Sequence, residues 1–168
     1  MKVRYVDGPT SEAEIYVAAP PDRVWALVTD IELPARFSNE FCGAEWVGER
    51  PGPAVGAAFR GRNQHPAIGA WESTSVVVAC EAGRVFGWDV QGYGGVAASW
   101  RFELEPEGDG TRLRHRARMG PARSGLTAAI EARPDKEERI IERRLEEWHT
   151  NLEATIRGIK QVAETPSS

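Results

Sequence analysis

Cysteine is scarce in this chain: Cys42 and Cys80 are the only two among 168 residues. Two thiols match no metal-ligand spacing and build no disulfide framework. Lysine is nearly missing as well, occurring only at Lys2, Lys136 and Lys160, so arginine carries most of the basic charge. With 17 glycines, 11 prolines and abundant alanine, that bias fits a GC-rich bacterial coding sequence. There is no excess of positive charge; the formal net charge is −4. A general affinity for nucleic acid is therefore not expected. No stretch approaches the roughly 18 apolar residues of a membrane span, so no stable membrane insertion is expected. The opening "MKVRYVDGPTSEAE" lacks the apolar run of a signal peptide, and a reduced, cytoplasmic protein is the expectation. His65, His115 and His149 are scattered, and neither HExxH nor CxxC occurs, so no metal is expected. "GYGG" at 92–95 precedes strand-forming sequence and lacks the helix N-terminus of a phosphate-binding loop. No cofactor is expected.

What is present has the length of one domain spanning 1–168, with an ordered core over about 12–163. A chain of this size can bury roughly 70% of its unfolded surface. "EAEIYVAA" alternates Ala13, Ile15 and Val17 against polar partners, which predicts a half-buried strand. "PPDRVWALVTD" begins with prolines, tolerated where helical amides have no partner, and predicts a helix. "IELPARFSNE" predicts a second short helix or an irregular turn. Six strands follow between Phe41 and Met119, separated by turn sequences such as "RPGPAVG", "HPAIG" and "EGDG". Short links of this kind predict an antiparallel meander. "PARSGLTAAI" predicts a brief helix able to serve as a lid. From Pro134 onward Ile141, Leu145, Trp148, Leu152, Ile156 and Ile159 recur at helical spacing. About 30 such residues would reach about 45 Å, enough to cross a small sheet.

The sequence "TRLRHRARMG" at 111–120 places an arginine at every second position. If "EGDG" is the hairpin loop, Glu105 faces Arg112 and Glu103 faces Arg114 on one side. On the other, Leu104 meets Leu113, Phe102 meets His115 and Trp100 meets Ala117, with Met119 beyond. A slip of one residue would turn every side chain over, so this agreement fixes the register. The arginine row reads as a solvated face with partial carboxylate pairing. His115 then sits inward among aromatics.

The same parity places Phe59, Gly61 and Asn63 inside, and aligns Phe86, Trp88 and Val90. Trp71 shares one face with Ser73 and Ser75, although alternation leaves open which face that is. Inward polar groups are costly in a dry core unless each has a partner. They suit a ligand pocket, which is mostly apolar with a few convergent hydrogen-bonding groups. For His115 alone, a bonded core histidine or a plain ligand contact outweighs catalysis. For the group together, a cavity is the better reading.

The order strand, two helices, six-strand meander and long closing helix resembles the START and polyketide cyclase/dehydrase superfamily. "VAAPPDRVWALVTDIELPARF", "FRGRNQ" with Trp71, "RVFGWDV", "WRFELEPEGDGTRLRHR" and "RRLEEWHTNLEATIRGIK" carry the resemblance. It implies an α+β helix-grip fold: a curved antiparallel sheet of about seven strands wrapped around the C-terminal helix, with a cavity between them. Family members bind lipids, polyketides or other apolar molecules, and some cyclise and dehydrate polyketide chains. The resemblance supplies no family-wide catalytic motif.

The expected ligand-contacting set is Phe59, Asn63, Trp71 and Ser73, then Phe86, Trp88, Trp100 and Phe102. His115, Ala117 and Met119 complete the sheet side, and Trp148 and Leu152 lie on the helix. Two functions compete. One is a carrier of a hydrophobic small molecule. The other is a cyclase or dehydrase in which His115, the one catalytic candidate, and Asn63 move protons or orient substrate. An interaction module built on mixed-sign surfaces such as "EERIIERRLEE" ranks below both, because such surfaces are usually only solvated. A monomer and a homodimer both remain open.

Overall fold

The computed structural model describes residues 2–166. β1 (Thr10–Val17) leads into α1 (Pro21–Val28), which starts on Pro21 and buries Val24 and Val28. The meander follows as β2 (Phe41–Val47), β3 (Ala58–His65), β4 (Gly69–Glu81), β5 (Val85–Gly92), β6 (Gly95–Glu107) and β7 (Gly110–Met119). Two helices close the chain, α2 (Gly125–Ala132) and α3 (Glu137–Glu164).

The seven strands form one antiparallel sheet in the order β1-β7-β6-β5-β4-β3-β2. β1 returns to pair with the last strand, leaving β1 and β2 as the two edges. α3 runs 28 residues, about 42 Å, and lies chiefly on β1, with lesser contact to α1 and β7. Ile141, Trp148, Leu152, Ile156, Ile159 and Ala163 form its buried stripe. This is the helix-grip arrangement.

Two local expectations take definite form, the turn near Pro34 and the brief helix after β7. The second helix anticipated near Pro34 is only a 3-10 turn, Leu33–Arg36. Pro34 stands in its first turn, where a missing amide costs nothing, and the Ser38 hydroxyl then accepts from the Glu40 and Phe41 amides at 3.0 and 2.9 Å, turning the chain into β2. The segment after β7 is a separate helix, α2, whose Ser124 hydroxyl accepts from the Leu126 amide at 3.2 Å. Order also begins before residue 12: Tyr5 is buried and donates its hydroxyl to the Ala122 carbonyl at 2.6 Å.

The β6–β7 register pairs Glu105 with Arg112, Phe102 with His115 and Trp100 with Ala117, as the hairpin parity requires. On the outer face, however, the arginines draw most of their carboxylates from β1, because β7 lies between β6 and β1. Arg114 pairs with Glu14 at 3.0 Å, Arg116 with Glu12 at 3.0 Å, and Arg112 with Glu107 at 2.8 Å.

Candidate ligand-binding site

Strand pairing decides which way Trp71 faces. Asn63 pairs with Trp71, Gly61 with Ser73 and Phe59 with Ser75, so all share the inner face. The next strands continue it through Val77 and Trp88, Trp88 and Trp100, then Phe102 and His115. β2 adds Trp46 opposite Phe59 and Phe41 opposite Asn63. The parity argument did not extend to β2, where a bulge between Phe41 and Gly43 breaks the alternation. Gly61 is small for a reason visible here: a Cβ would lie 3.3 Å from both the Phe41 ring and the Ser73 hydroxyl.

Trp88 is the hub of the aromatic interior. Its ring lies 5.5 Å from Phe86, 5.8 Å from Phe59, 6.0 Å from Phe102 and 6.4 Å from His115. Trp100 lies 6.1 Å from His115 and 4.8 Å from Trp148, so helix and sheet meet through two indoles. Phe59, Phe86, Phe102, Ala117, Met119, Trp148 and Leu152 are buried, whereas Asn63, Trp71, Ser73, Trp88 and Trp100 stay half-buried. Solvent therefore reaches part of the inner face along β3–β6.

His115 is only 5% exposed and stacks on Phe102 at 3.9 Å with an interplanar angle of 11°. Among the described residues, neither ring nitrogen has a hydrogen-bond partner in the protein, so the backbone-carbonyl bond of the simplest reading is not made. Desolvation pulls its pKa from 6.5 down to about 3. At neutral pH it is an uncharged imidazole carrying one unused donor and one unused acceptor.

The hollow expected beside it is filled by aromatic rings, and both nitrogens are sealed from solvent. Two depressions lie elsewhere. One of about 330 Å³ is lined by Arg133, Lys136, Arg139, Ile140 and Arg143. The other, about 260 Å³, sits between residues 29–32 and Ala44–Trp46. Asn63 and His115 share a face but not a locus, being four strand positions apart, an arc of about 19 Å at the usual strand spacing.

A polar clasp ties α3 to the far side of the sheet. Arg144 makes a two-pronged pair with Glu40 at 2.7 and 2.9 Å and reaches Glu147 at 3.3 Å. Glu147 also lies 2.5 Å from His65 Nε2. The Ala67 amide donates to His65 Nδ1 at 3.0 Å, so the ring proton belongs on Nε2 and is donated to Glu147. Burial opposes charge on Arg144, but the bonded Glu40 more than offsets it and raises the pKa. Burial likewise works against the Glu147 carboxylate, yet His65 and Arg144 hold it below the usual range. Asn151 accepts from the Ser38 hydroxyl and the Asn39 amide at 3.4 Å, extending the clasp. None of these contacts is visible in the sequence, where Arg144 and Glu147 read as ordinary solvated charges. A possible signal was the pairing of two adjacent basic residues with Trp148 one turn below Arg144, whose guanidinium lies 5.9 Å from that ring.

Residues 9–156 match the model of the family described as polyketide cyclase / dehydrase and lipid transport. The chain belongs to that family. Among solved structures it is 34% identical to the solution structure of the polyketide-cyclase-like protein Cgl2372 from Corynebacterium glutamicum. The match covers 94% of this chain and 92% of that one at a TM-score of 0.65. It also resembles BexL, the di-domain ARO/CYC of the BE-7585A biosynthetic pathway, at 17% identity and TM-score 0.71. StfQ, the di-domain ARO/CYC of the steffimycin pathway, follows at 19% and 0.70. The alignments cover 97% and 92% of this chain but 52% and 50% of those two, so it spans about half their length. A comparison with curated proteins finds no match. Membership of the polyketide cyclase/dehydrase family supports a role in binding or cyclising a hydrophobic small molecule. Among the described residues, no helix is long and apolar enough to cross a membrane.

Proposed function

We propose that this family member binds a hydrophobic small molecule, a polyketide or lipid, between the inner face of the sheet and α3. The ligand lies along Trp71, Ser73, Trp88 and Trp100 and presents an oxygen to His115. The observation that carries this reading is the orphaned imidazole. A buried polar group without a partner costs about 1–3 kcal/mol. A ligand hydroxyl or carbonyl would recover that cost. Access requires the Trp100–Trp148 contact to part.

The cyclase reading is favoured by one observation, the inward placement of Asn63 and His115, although the four strand positions between them keep the two from acting on one atom. A base with a pKa of about 3 is too weak to abstract protons efficiently near neutrality. In such an enzyme His115 would orient a substrate oxygen, and folding of the chain against the aromatic inner face would do most of the work.

The test is tryptophan-fluorescence titration with two probes, a hydroxylated anthraquinone and a saturated fatty acid. The wild type binds both. His115→Leu weakens both about tenfold, about 1.4 kcal/mol, because each presents an oxygen to the imidazole. Failure of the wild type to bind either probe, or equal affinity in the variant, would overturn the proposal.

A further inference from the structure

The 330 Å³ depression at the α2–α3 junction shares no residue with the interior site. Arg133 and Lys136 enter it from the turn between the helices, and Arg139 and Arg143 from the first two turns of α3. Ile140 forms an apolar patch among them. No carboxylate lines it. Lys136, Arg139 and Arg143 make no side-chain ion pair or hydrogen bond among the described residues, and Arg133 has only a 3.8 Å contact to Asp135. The contrast with β7 is direct: there Arg112, Arg114 and Arg116 each meet a carboxylate.

Four cations thus line one depression, and only Arg133 among them has a carboxylate within ion-pair distance. One carboxylate would leave most of that charge uncompensated. Several charges and several acceptor oxygens are needed, and guanidinium forks match phosphate oxygens two at a time. The volume stands at the lower end of the range of about 300–1,000 Å³ for small-molecule sites. We infer that this depression binds the diphosphate or phosphate-ester group of a second ligand, with Ile140 against its apolar portion.

Calorimetry of the intact protein with inorganic pyrophosphate, at fixed ionic strength, tests the inference. Saturable binding is expected, weakened at least tenfold in R139Q/R143Q and progressively by added salt. Lys136→Gln, expected to weaken binding severalfold, gives the reading if the double variant misfolds. Phosphatidylcholine vesicles containing phosphatidic acid form the second arm. Binding of free pyrophosphate points to a soluble phosphate ester. Binding only to vesicles, lost in the same variants, points to a lipid headgroup, and both support the site. Sulfate binding as tightly as pyrophosphate, affinity unchanged in both variants, or no binding in either arm would overturn it.

Discussion

At His115 the chain accepts an energetic cost inside its own core. The ring gains stacking on Phe102, a contact worth about 0.5–1.5 kcal/mol. It loses the two hydrogen bonds that water gave it in the unfolded chain. His115→Leu, similar in volume, should therefore stabilise the protein by about 1 kcal/mol, raising the melting temperature by about 2–4 °C in calorimetry. Unchanged or lower stability would mean that the imidazole has a partner after all. The same residue sets a pH dependence. Its pKa is about 3 when folded, against an ordinary 6.5, so between these values the unfolded state binds the extra proton. Stability should be flat above pH 6.5 and fall below it, by at most about 1.4 kcal/mol per pH unit from this group. Urea melts between pH 5 and 7, above most carboxylate titration, should show this slope in the wild type and not in His115→Leu.

A second residue reverses an intrinsic preference. Glycine inside a helix is usually worse than alanine by about 1 kcal/mol. Gly158, however, lies in α3 directly beneath the Phe37 ring, which an added methyl would strike. Gly158→Ala should destabilise by about 1–2 kcal/mol, and Phe37→Leu should relieve most of that loss in a double-mutant cycle.

Among the elements, α3 is held in two different ways. Apolar side chains bind it to β1, while the Glu40–Arg144–Glu147–His65 clasp spans the side where solvent reaches the inner face. Arg144→Met leaves Glu40, 14% exposed, without its cation. A loss of about 2–3 kcal/mol is expected, with a smaller loss in E40Q/R144M, because a stranded charge costs more than a missing pair. Denaturant midpoints check this. Stopped-flow fluorescence should also show faster ligand release from Arg144→Met if the clasp restrains the helix over the bound molecule.

Among the described residues, the sheet has no second layer other than its helices. Truncation before Glu137 removes the buried stripe of α3 and exposes the apolar side of β1 at Ala13 and Val17. The shortened chain should lack near-ultraviolet dichroism and aggregate, which gel filtration would reveal.

How much of this was legible differs by type of feature. The strands, the β6–β7 register and the inward direction of His115 follow from alternation, because a period of two admits only one face to the core. The stripe from Ile141 to Ile159 gave α3 by the same logic at helical spacing. The family followed from their order. The sequence could not say that Trp71 faces inward, that β1 supplies the carboxylates for the β7 arginines, or that Arg144 and Glu147 bridge to Glu40 and His65. Nor could it show that aromatic rings close over His115, or that four cations converge around Ile140. Local periodicity reports only which side of an element is buried. Those other facts depend on which distant elements come together, and only the closed arrangement of sheet and helix decides that.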